Sequence, residues 1–215
     1  LALELERAAQ HHRLDPEAIF RAVAGVHRRC RGAYAIVAMI AGYGMLAFRD
    51  PYGIRPLVIG VAEAPGGPEY MVASESVALE ACGFRVLRDV DPGEAIYVDF
   101  AGTMHARQCA ESPRLVPCIF EFVYLARPDS VIDGTSVYES RIHMGAALAR
   151  RIRAMPETQD VDVVIPIPDS SRPSAMQLAN DLALTYREGF VKNRYIGRTF
   201  IMPGRAMRKK SVRQK

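Results

Sequence analysis

The sequence predicts an α+β region followed by an α/β region, because its pattern changes near residues 110–125. Before that point, short apolar segments alternate with turn residues, as they do in antiparallel sheets. After Pro117 helical and strand patterns alternate, which is typical of a parallel sheet. The clearest later strand is 161–167, a β-branched apolar run with prolines at its end, and it is predicted to be fully buried. We therefore predict two domains, 1–115 and 116–215.

The first region is predicted to contain three helices and several short strands. Asp15 before Pro16 is a favourable N-cap and first-turn pair for the second helix. Gly42-Tyr43-Gly44 separates two apolar segments and predicts a hairpin. The predicted helices are 1–11, 16–29 and 75–81, and the predicted strands are 33–41, 45–48, 57–61, 70–73, 85–87 and 95–100. The residues that we expect to be buried in this largely antiparallel sheet include Val37, Met39, Val58, Ile59, Met71 and Ile96.

The second region is predicted to hold a phosphate at the end of its first strand. Its predicted elements are helices 136–155 and 171–183, strands 161–167 and 186–191, and a basic loop over 192–215. Asp169-Ser170-Ser171 connects strand 161–167 to the following helix. Hydroxyls and free backbone N–H groups at such a helix N-terminus bind phosphate well. The alternative for these residues is an ordinary helix cap, and Arg172 is interpreted as a solvated charge.

The positive charge of the chain is concentrated at one end. The 215 residues include 28 Lys or Arg and 24 Asp or Glu, but residues 192–215 carry nine Lys or Arg and no acid. Removing those nine leaves 19 basic residues against 24 acidic ones in the remainder. This concentration predicts an anionic partner, although no nucleic-acid-binding motif surrounds the basic residues.

Composition indicates a globular protein of the cytoplasm. Hydrophobic residues make up 49% of the chain, and no apolar run approaches the length that a membrane span needs. Cys30, Cys82, Cys109 and Cys118 lack paired spacing, which favours reduced thiols over a disulfide framework. The chain does not begin with Met and stops inside a charged run, so we expect it to be a piece of a longer protein.

Several residue blocks resemble known enzymes. The blocks 31–35 (RGAYA), 48–57 (FRDPYGIRPL) and 73–79 (ASESVAL) resemble the N-terminal-nucleophile glutamine amidotransferase domain. The blocks 124–130 (YLARPDS), 165–171 (IPIPDSS) and 189–201 (GFVKNRYIGRTFI) follow in an order that resembles the amidophosphoribosyltransferase family. This second match is more specific, and together the blocks span most of the chain.

The resemblance implies a fold and an activity. The fold is the second half of an N-terminal-nucleophile amidotransferase sandwich, joined to the start of a type I phosphoribosyltransferase domain. The family uses glutamine and phosphoribosyl pyrophosphate (PRPP) to make phosphoribosylamine, glutamate and pyrophosphate in purine synthesis. Its nucleophilic Cys and its paired-Asp PRPP motif are both expected outside residues 1–215, so no catalytic residue is assigned here. The chain alone is then expected to be inactive.

The resemblance also implies binding residues. Asp169, Ser170, Ser171 and Lys192 match the substrate and pyrophosphate site, with Ser170 at the Mg²⁺ position. Tyr195, Arg198 and Ile201 match a lid that lines an ammonia channel. Cys118 matches an iron–sulfur ligand in one subgroup, but we favour a small buried residue without a 4Fe–4S cluster. Purine nucleotides as feedback ligands and a homo-oligomer are further implied partners, whereas nucleic acid and membrane are not.

Two alternatives remain at this point. One is a glutamine amidotransferase with a different synthase partner, against which the blocks 165–171 and 192–201 argue. The other is a non-catalytic anion-binding or regulatory protein built from the same pieces.

Other charged residues are interpreted as structural. Arg49, Asp50 and Arg55 are expected to fix a turn beside Gly53. Arg127 and Asp129 are placed at the junction between the two domains.

Overall fold

The computed structural model describes residues 1–9, 14–156, 160–193, 195–196 and 203–214. These fall into two compact units, Leu1–Val137 and Tyr138–Lys215. Residues 116–137 therefore pack with the first unit, although the predicted domain boundary lies at residue 115. Among the helices of the described residues, none is long and apolar enough to cross a membrane.

The helices and strands are as follows. The helices are α1 Ala2–Ala9, α2 Pro16–Arg29, α3 Ser76–Ala81, α4 Val137–Arg153, α5 Arg172–Leu182 and α6 Arg205–Gln214, with a π-helical turn at Glu121–Leu125. The strands are β1 Ala35–Ile40, β2 Gly44–Arg49, β3 Val58–Ala64, β4 Gly67–Ala73, β5 Arg85–Asp89, β6 Glu94–Asp99, β7 Met104–Gln108, β8 Val131–Ile132, β9 Thr135–Ser136, β10 Val163–Val164 and β11 Thr185–Tyr186.

The first unit is layered, with helices on one face of a sheet and a second sheet on the other. The larger sheet has the antiparallel order β1-β2-β6-β7, and the smaller one has the order β4-β3-β5. Strand β2 is buried on both faces because its side chains alternate between two cores. Leu46 and Phe48 pack with Ile19 and Val23 of α2, while Ala47 packs with residues of the smaller sheet.

The predicted hairpin and the predicted cap of α2 are confirmed. Strands β1 and β2 pair antiparallel from Ala35 opposite Arg49 to Ile40 opposite Gly44. The Ala18 backbone N–H donates to Asp15 Oδ1 (2.7 Å), so the Asp15 side chain caps the helix. Local chemistry alone therefore fixed the start of α2.

The prediction of burial is wrong for two of the expected core residues. Val58, Ile59 and Ile96 are buried, but Val37 is 52% and Met39 is 73% exposed. Both lie on edge strand β1, on the face that points toward the smaller sheet, and the described part of that sheet does not extend over them.

The second unit contains a parallel strand–helix–strand arrangement. Strands β10 and β11 pair in parallel, and α5 connects them. Its core is formed by Ala149 of α4, Val164 of β10 and three residues of α5, namely Ala175, Leu178 and Ala179. The fold class is therefore α+β followed by α/β, as predicted.

Three elements of this unit differ from the prediction. Strand 161–167 is reduced to Val163–Val164, because Pro166 and Pro168 have no N–H to donate to a ladder. The predicted strand 186–191 is replaced by Thr185–Tyr186. Residues 205–214, predicted as loop, form α6, whose Arg, Lys, Ala, Met and Gln residues favour a helix.

Candidate phosphate-binding site

The candidate site is the loop Asp169–Ser171 between β10 and α5. Ser171 lies at the N-cap position of α5, but its side chain makes no capping hydrogen bond. Its hydroxyl donates instead to the carbonyl oxygen of Ile167, which lies between β10 and the loop. The ordinary-cap interpretation therefore does not describe the Ser171 side chain.

Ser170 is half-buried at the centre of the loop. No hydrogen bond joins its hydroxyl to another residue in the part of the chain that the structure describes. A hydroxyl in this position can donate to a phosphate oxygen or place its own oxygen on a metal ion.

Asp169 brings the loop together with Lys192. The Lys192 Nζ atom lies 3.3 Å from Asp169 Oδ2, and both side chains are partly exposed. The structure thus brings together two predicted site residues that are separated by 23 positions.

A second ion pair extends this cluster. Arg172 Nη1 lies 3.4 Å from Asp169 Oδ1, and Arg172 Nε lies 3.2 Å from Glu188 Oε1. The Tyr186 hydroxyl donates to Glu188 Oε1 (2.7 Å). Desolvation, and then the neighbouring Glu188 carboxylate, raise the pKa of the Tyr186 hydroxyl.

Arg172 and Glu188 are the site residues that sequence reasoning missed. Arg172 was interpreted as a solvated charge, yet it contacts two carboxylates. A signal was present, since Asp169 and Arg172 are three residues apart at a helix start. Glu188 follows β11 by two residues, and the ends of adjacent parallel strands lie at the same sheet edge.

The predicted lid is described only in part. Tyr195 is 98% exposed, and its backbone N–H donates to the Asn193 side-chain oxygen (3.0 Å). Arg198 and Ile201 lie outside the described residues. A channel role for these three residues stays a prediction.

Largely buried ionic contacts hold residues 116–137, here called the connecting segment, against the rest of the first unit. Arg49 is 1% exposed and donates through both Nη atoms to the Asp133 carboxylate, at 2.7 and 2.8 Å. Arg55 pairs with Glu121, and burial raises the pKa of the Glu121 carboxyl although Arg55 opposes this shift. The expectation that Arg49 fixes the turn beside Gly53 is confirmed by its hydrogen bond to the Gly53 carbonyl (2.8 Å).

Glu75 makes a third connection to this segment. Its carboxylate accepts from the Ser130 hydroxyl (2.6 Å) and from the Arg127 backbone N–H (2.8 Å). Arg127 and Asp129 form an exposed ion pair with each other. Glu75 therefore acts as an anchor rather than as a side-chain cap of α3.

Comparison with known proteins places these features in a family context. No family model matches the sequence. The amidophosphoribosyltransferase of Pseudomonas aeruginosa is 59% identical over 209 residues, covering 96% of this chain and 42% of that protein. The enzymes of the same name from Escherichia coli and Saccharomyces cerevisiae are 56% and 49% identical, with 41% and 42% of each protein covered. The chain resembles one part of the amidophosphoribosyltransferases.

Solved structures agree with this resemblance. A structure described as the allosteric regulatory enzyme of purine biosynthesis matches with a TM-score of 0.75 and 34% identity, covering 97% of this chain and 41% of that one. The Bacillus subtilis glutamine PRPP amidotransferase complexed with ADP and GMP matches with a TM-score of 0.69 and 32% identity, covering 97% and 48%. The predicted family resemblance is confirmed, and the chain spans less than half the length of these relatives.

Metal ligands are sparse in the described residues. Cys118 is half-buried just before the π-helical turn. Within the described ranges no group of three or more His, Cys, Asp or Glu side chains could hold a metal ion.

Proposed function

We propose that the chain is part of an amidophosphoribosyltransferase that converts PRPP and glutamine into phosphoribosylamine, glutamate and pyrophosphate. The observation that carries this proposal is the ion pair of Lys192 with Asp169, in the loop Asp169–Ser171 that connects β10 to α5. This is where a strand-to-helix loop can bind a pyrophosphate group.

The reaction needs orientation and stabilisation of negative charge. Displacement at the anomeric carbon builds positive charge on the sugar while negative charge grows on the leaving pyrophosphate. The Ser170 hydroxyl, the backbone N–H groups of the loop and the Lys192 ammonium would bind that leaving group. Held in place before the reaction, these donors stabilise the transition state without reorganising.

The loop fits a magnesium ion shared with the substrate. Mg²⁺ is commonly held by one or two protein oxygens together with substrate phosphates, and Asp169 and Ser170 offer such oxygens. When bound, the ion would neutralise charge on the pyrophosphate oxygens. A 4Fe–4S cluster at Cys118 remains the less favoured possibility.

The glutamine reaction is assigned to residues outside this chain. Burial raises the pKa of the Cys109 thiol to about 11, so this thiol carries almost no thiolate at neutral pH. We propose that the first unit is a scaffold for the missing nucleophile. By the family resemblance, Tyr195, Arg198 and Ile201 would line the ammonia channel.

Further partners follow from the relatives. One solved relative is complexed with ADP and GMP, which supports purine nucleotides as feedback ligands. A homo-oligomer and a cytoplasmic location, the latter suggested by the free cysteines, complete the proposal.

The test is phosphoribosylamine formation by a full-length polypeptide that contains residues 1–215. Ser170→Ala should raise the KM for PRPP about 10- to 100-fold, since a hydrogen bond to a charged ligand is lost. Ser112→Ala, at an exposed serine of the first unit, is the matched control and should leave the KM unchanged. No product from glutamine and PRPP, or equal KM values for both variants, would contradict the proposal.

A further inference from the structure

We propose that Glu188 is an internal counter-ion of the phosphate-binding site, and that an incoming pyrophosphate group displaces it from Arg172. This inference rests on the proposed function and adds a residue that sets affinity for the anion. Arg172 then binds the ligand, and in the free protein it is paired with Glu188 instead.

The distances from the Arg172 guanidinium to its two carboxylate partners are longer than those of typical charged hydrogen bonds. Its Nη2 atom donates to Glu188 Oε2 at 3.3 Å, and its Nη1 atom lies 3.4 Å from Asp169 Oδ1. Hydrogen bonds between guanidinium and carboxylate groups are usually about 2.7–2.9 Å long. A pair held this loosely can exchange its carboxylate for a phosphate oxygen.

One N–H group of Arg172 lacks an acceptor. The Nε atom is buried and makes no hydrogen bond among the described residues, although Glu188 Oε1 lies 3.2 Å away. A buried N–H without an acceptor is costly, so a ligand oxygen that meets it gains affinity. The guanidinium is therefore positioned for a further acceptor.

The backbone places both residues at the loop. Arg172 is the first residue of α5 and follows Ser171 directly. Glu188 follows β11, the parallel neighbour of β10, and the Tyr186 hydroxyl holds its carboxylate (2.7 Å). The counter-ion is thus anchored in the same unit as the loop.

Charge balance explains what the counter-ion does. The cluster contains two cations, Arg172 and Lys192, and two carboxylates, Asp169 and Glu188. It is therefore neutral as it stands, and an anion gains little by approaching it. A pyrophosphate group with several negative charges can compete with Glu188 for Arg172, whereas inorganic phosphate competes less well.

The test is calorimetric binding of magnesium pyrophosphate and of inorganic phosphate to the full-length polypeptide that contains residues 1–215. Glu188→Gln should tighten pyrophosphate binding about threefold to fivefold, because the competing charge is gone. The ratio of the affinity for pyrophosphate to that for phosphate should also fall, because phosphate no longer has to compete with Glu188. Asp162→Asn is the matched control, since it makes the same charge change at an exposed position before β10 and should leave both affinities unchanged.

A double variant tests whether Glu188 acts through Arg172 or through a general effect of its charge. With Arg172→Met present, Glu188→Gln should give no further gain, because the residue through which it acts is absent. Tyr186→Phe keeps the ring but removes the hydroxyl that holds Glu188, so it should change affinity in the same direction as Glu188→Gln, by less. Circular dichroism checks that each variant is folded.

The outcomes distinguish the inference from the proposed function. If the parent chain binds pyrophosphate and neither Glu188→Gln nor Tyr186→Phe binds it more tightly, the counter-ion is wrong and the proposed site stands. If neither the parent chain nor these variants bind pyrophosphate, both the site and the counter-ion are wrong.

Discussion

At the residue scale, Arg49 links distant parts of the first unit. Its guanidinium donates to Asp133, 84 positions away, and to the backbone carbonyls of Gly53, Arg55 and Val90. Removing one partner of a buried ion pair leaves the other charge without compensation. Loss of Arg49 should therefore be strongly destabilising because it leaves the Asp133 charge unpaired, and not because the pair itself is strong.

We predict that Arg49→Met lowers the free energy of unfolding by about 3–5 kcal/mol. The control is Arg127→Met, which breaks an exposed ion pair with Asp129 and should change the free energy of unfolding far less. Urea denaturation measures both values. Equal losses for the two variants would show that burial does not determine the effect of Arg49.

His27 gives the first unit a pH dependence. Its Nε2 atom lies 3.1 Å from the Gly93 carbonyl oxygen, which can only accept, so Nε2 carries the proton. Its Nδ1 atom can then accept from the Tyr34 hydroxyl (2.8 Å). Desolvation lowers the pKa of His27, although the Gly93 hydrogen bond and Asp50 oppose this shift.

We predict that His27 contributes a loss of stability on acidification. Because the pKa of folded His27 lies below its ordinary value of about 6.5, the unfolded chain takes up the proton first. The contribution is present above pH 6.5 and is lost as the pH falls through the lowered pKa. Unfolding free energies measured between pH 7.5 and 5 should therefore fall less steeply in His27→Gln than in the parent chain.

The control for this prediction is His143→Gln, at an exposed histidine of α4. It should keep the pH slope of the parent chain. If His27→Gln has the same pH dependence of unfolding free energy as the parent chain, another titrating group causes that dependence.

At the element scale, Gly145 sets the approach of α4 to α5. A methyl group at this position would overlap the Ser174 carbonyl oxygen and lie 3.0 Å from Ser174 Cα. Both atoms belong to the backbone of α5 and cannot move aside independently. The two helices therefore pack closely only because residue 145 has no side chain.

We predict that Gly145→Ala destabilises the second unit by about 1–3 kcal/mol, the usual cost of overpacking. Alanine normally stabilises a helix relative to glycine, so the sign is opposite to that of helix propensity. Thermal denaturation of the variant tests this.

The control is Gly25→Ala in α2, where the three atoms nearest to the added methyl group all belong to the flexible Glu4 side chain. It should stay within about 1 kcal/mol of the parent chain. If Gly145→Ala is as stable as Gly25→Ala, the helices have room to separate.

Sequence reasoning succeeded at this scale where the signal was local. Asp15-Pro16 gave the start of α2, and Gly42-Tyr43-Gly44 gave the first hairpin. It failed where a partner decides the outcome, since Met39 is apolar and was expected to be buried, yet no described residue covers it. Within the predicted strand 161–167, Pro166 and Pro168 shortened the ladder to Val163–Val164. The expectation of full burial was wrong, since Val161, Val163 and Ile165 are 37–42% exposed.

At the scale of the whole molecule, the site was partly predictable. The order of the blocks 165–171 and 189–201 predicted that Asp169–Ser171 and Lys192 belong to one site, and the ion pair of Asp169 with Lys192 agrees. Arg172 and Glu188 were missed because their roles depend on the parallel pairing of β10 with β11. The Arg49–Asp133 pair was missed because no local sequence pattern connects residues 84 positions apart.

The central claim is that a pyrophosphate group binds at the loop Asp169–Ser171 together with Lys192, rather than at the basic helix α6. The most direct measurement is nuclear magnetic resonance of the ¹⁵N-labelled full-length polypeptide that contains residues 1–215, during titration with magnesium pyrophosphate. The account predicts saturable shifts of the backbone amide signals of Asp169, Ser170 and Ser171, together with that of Lys192. Shifts confined to α6, which carries Arg205–Gln214, or no saturable shift at all, would contradict it.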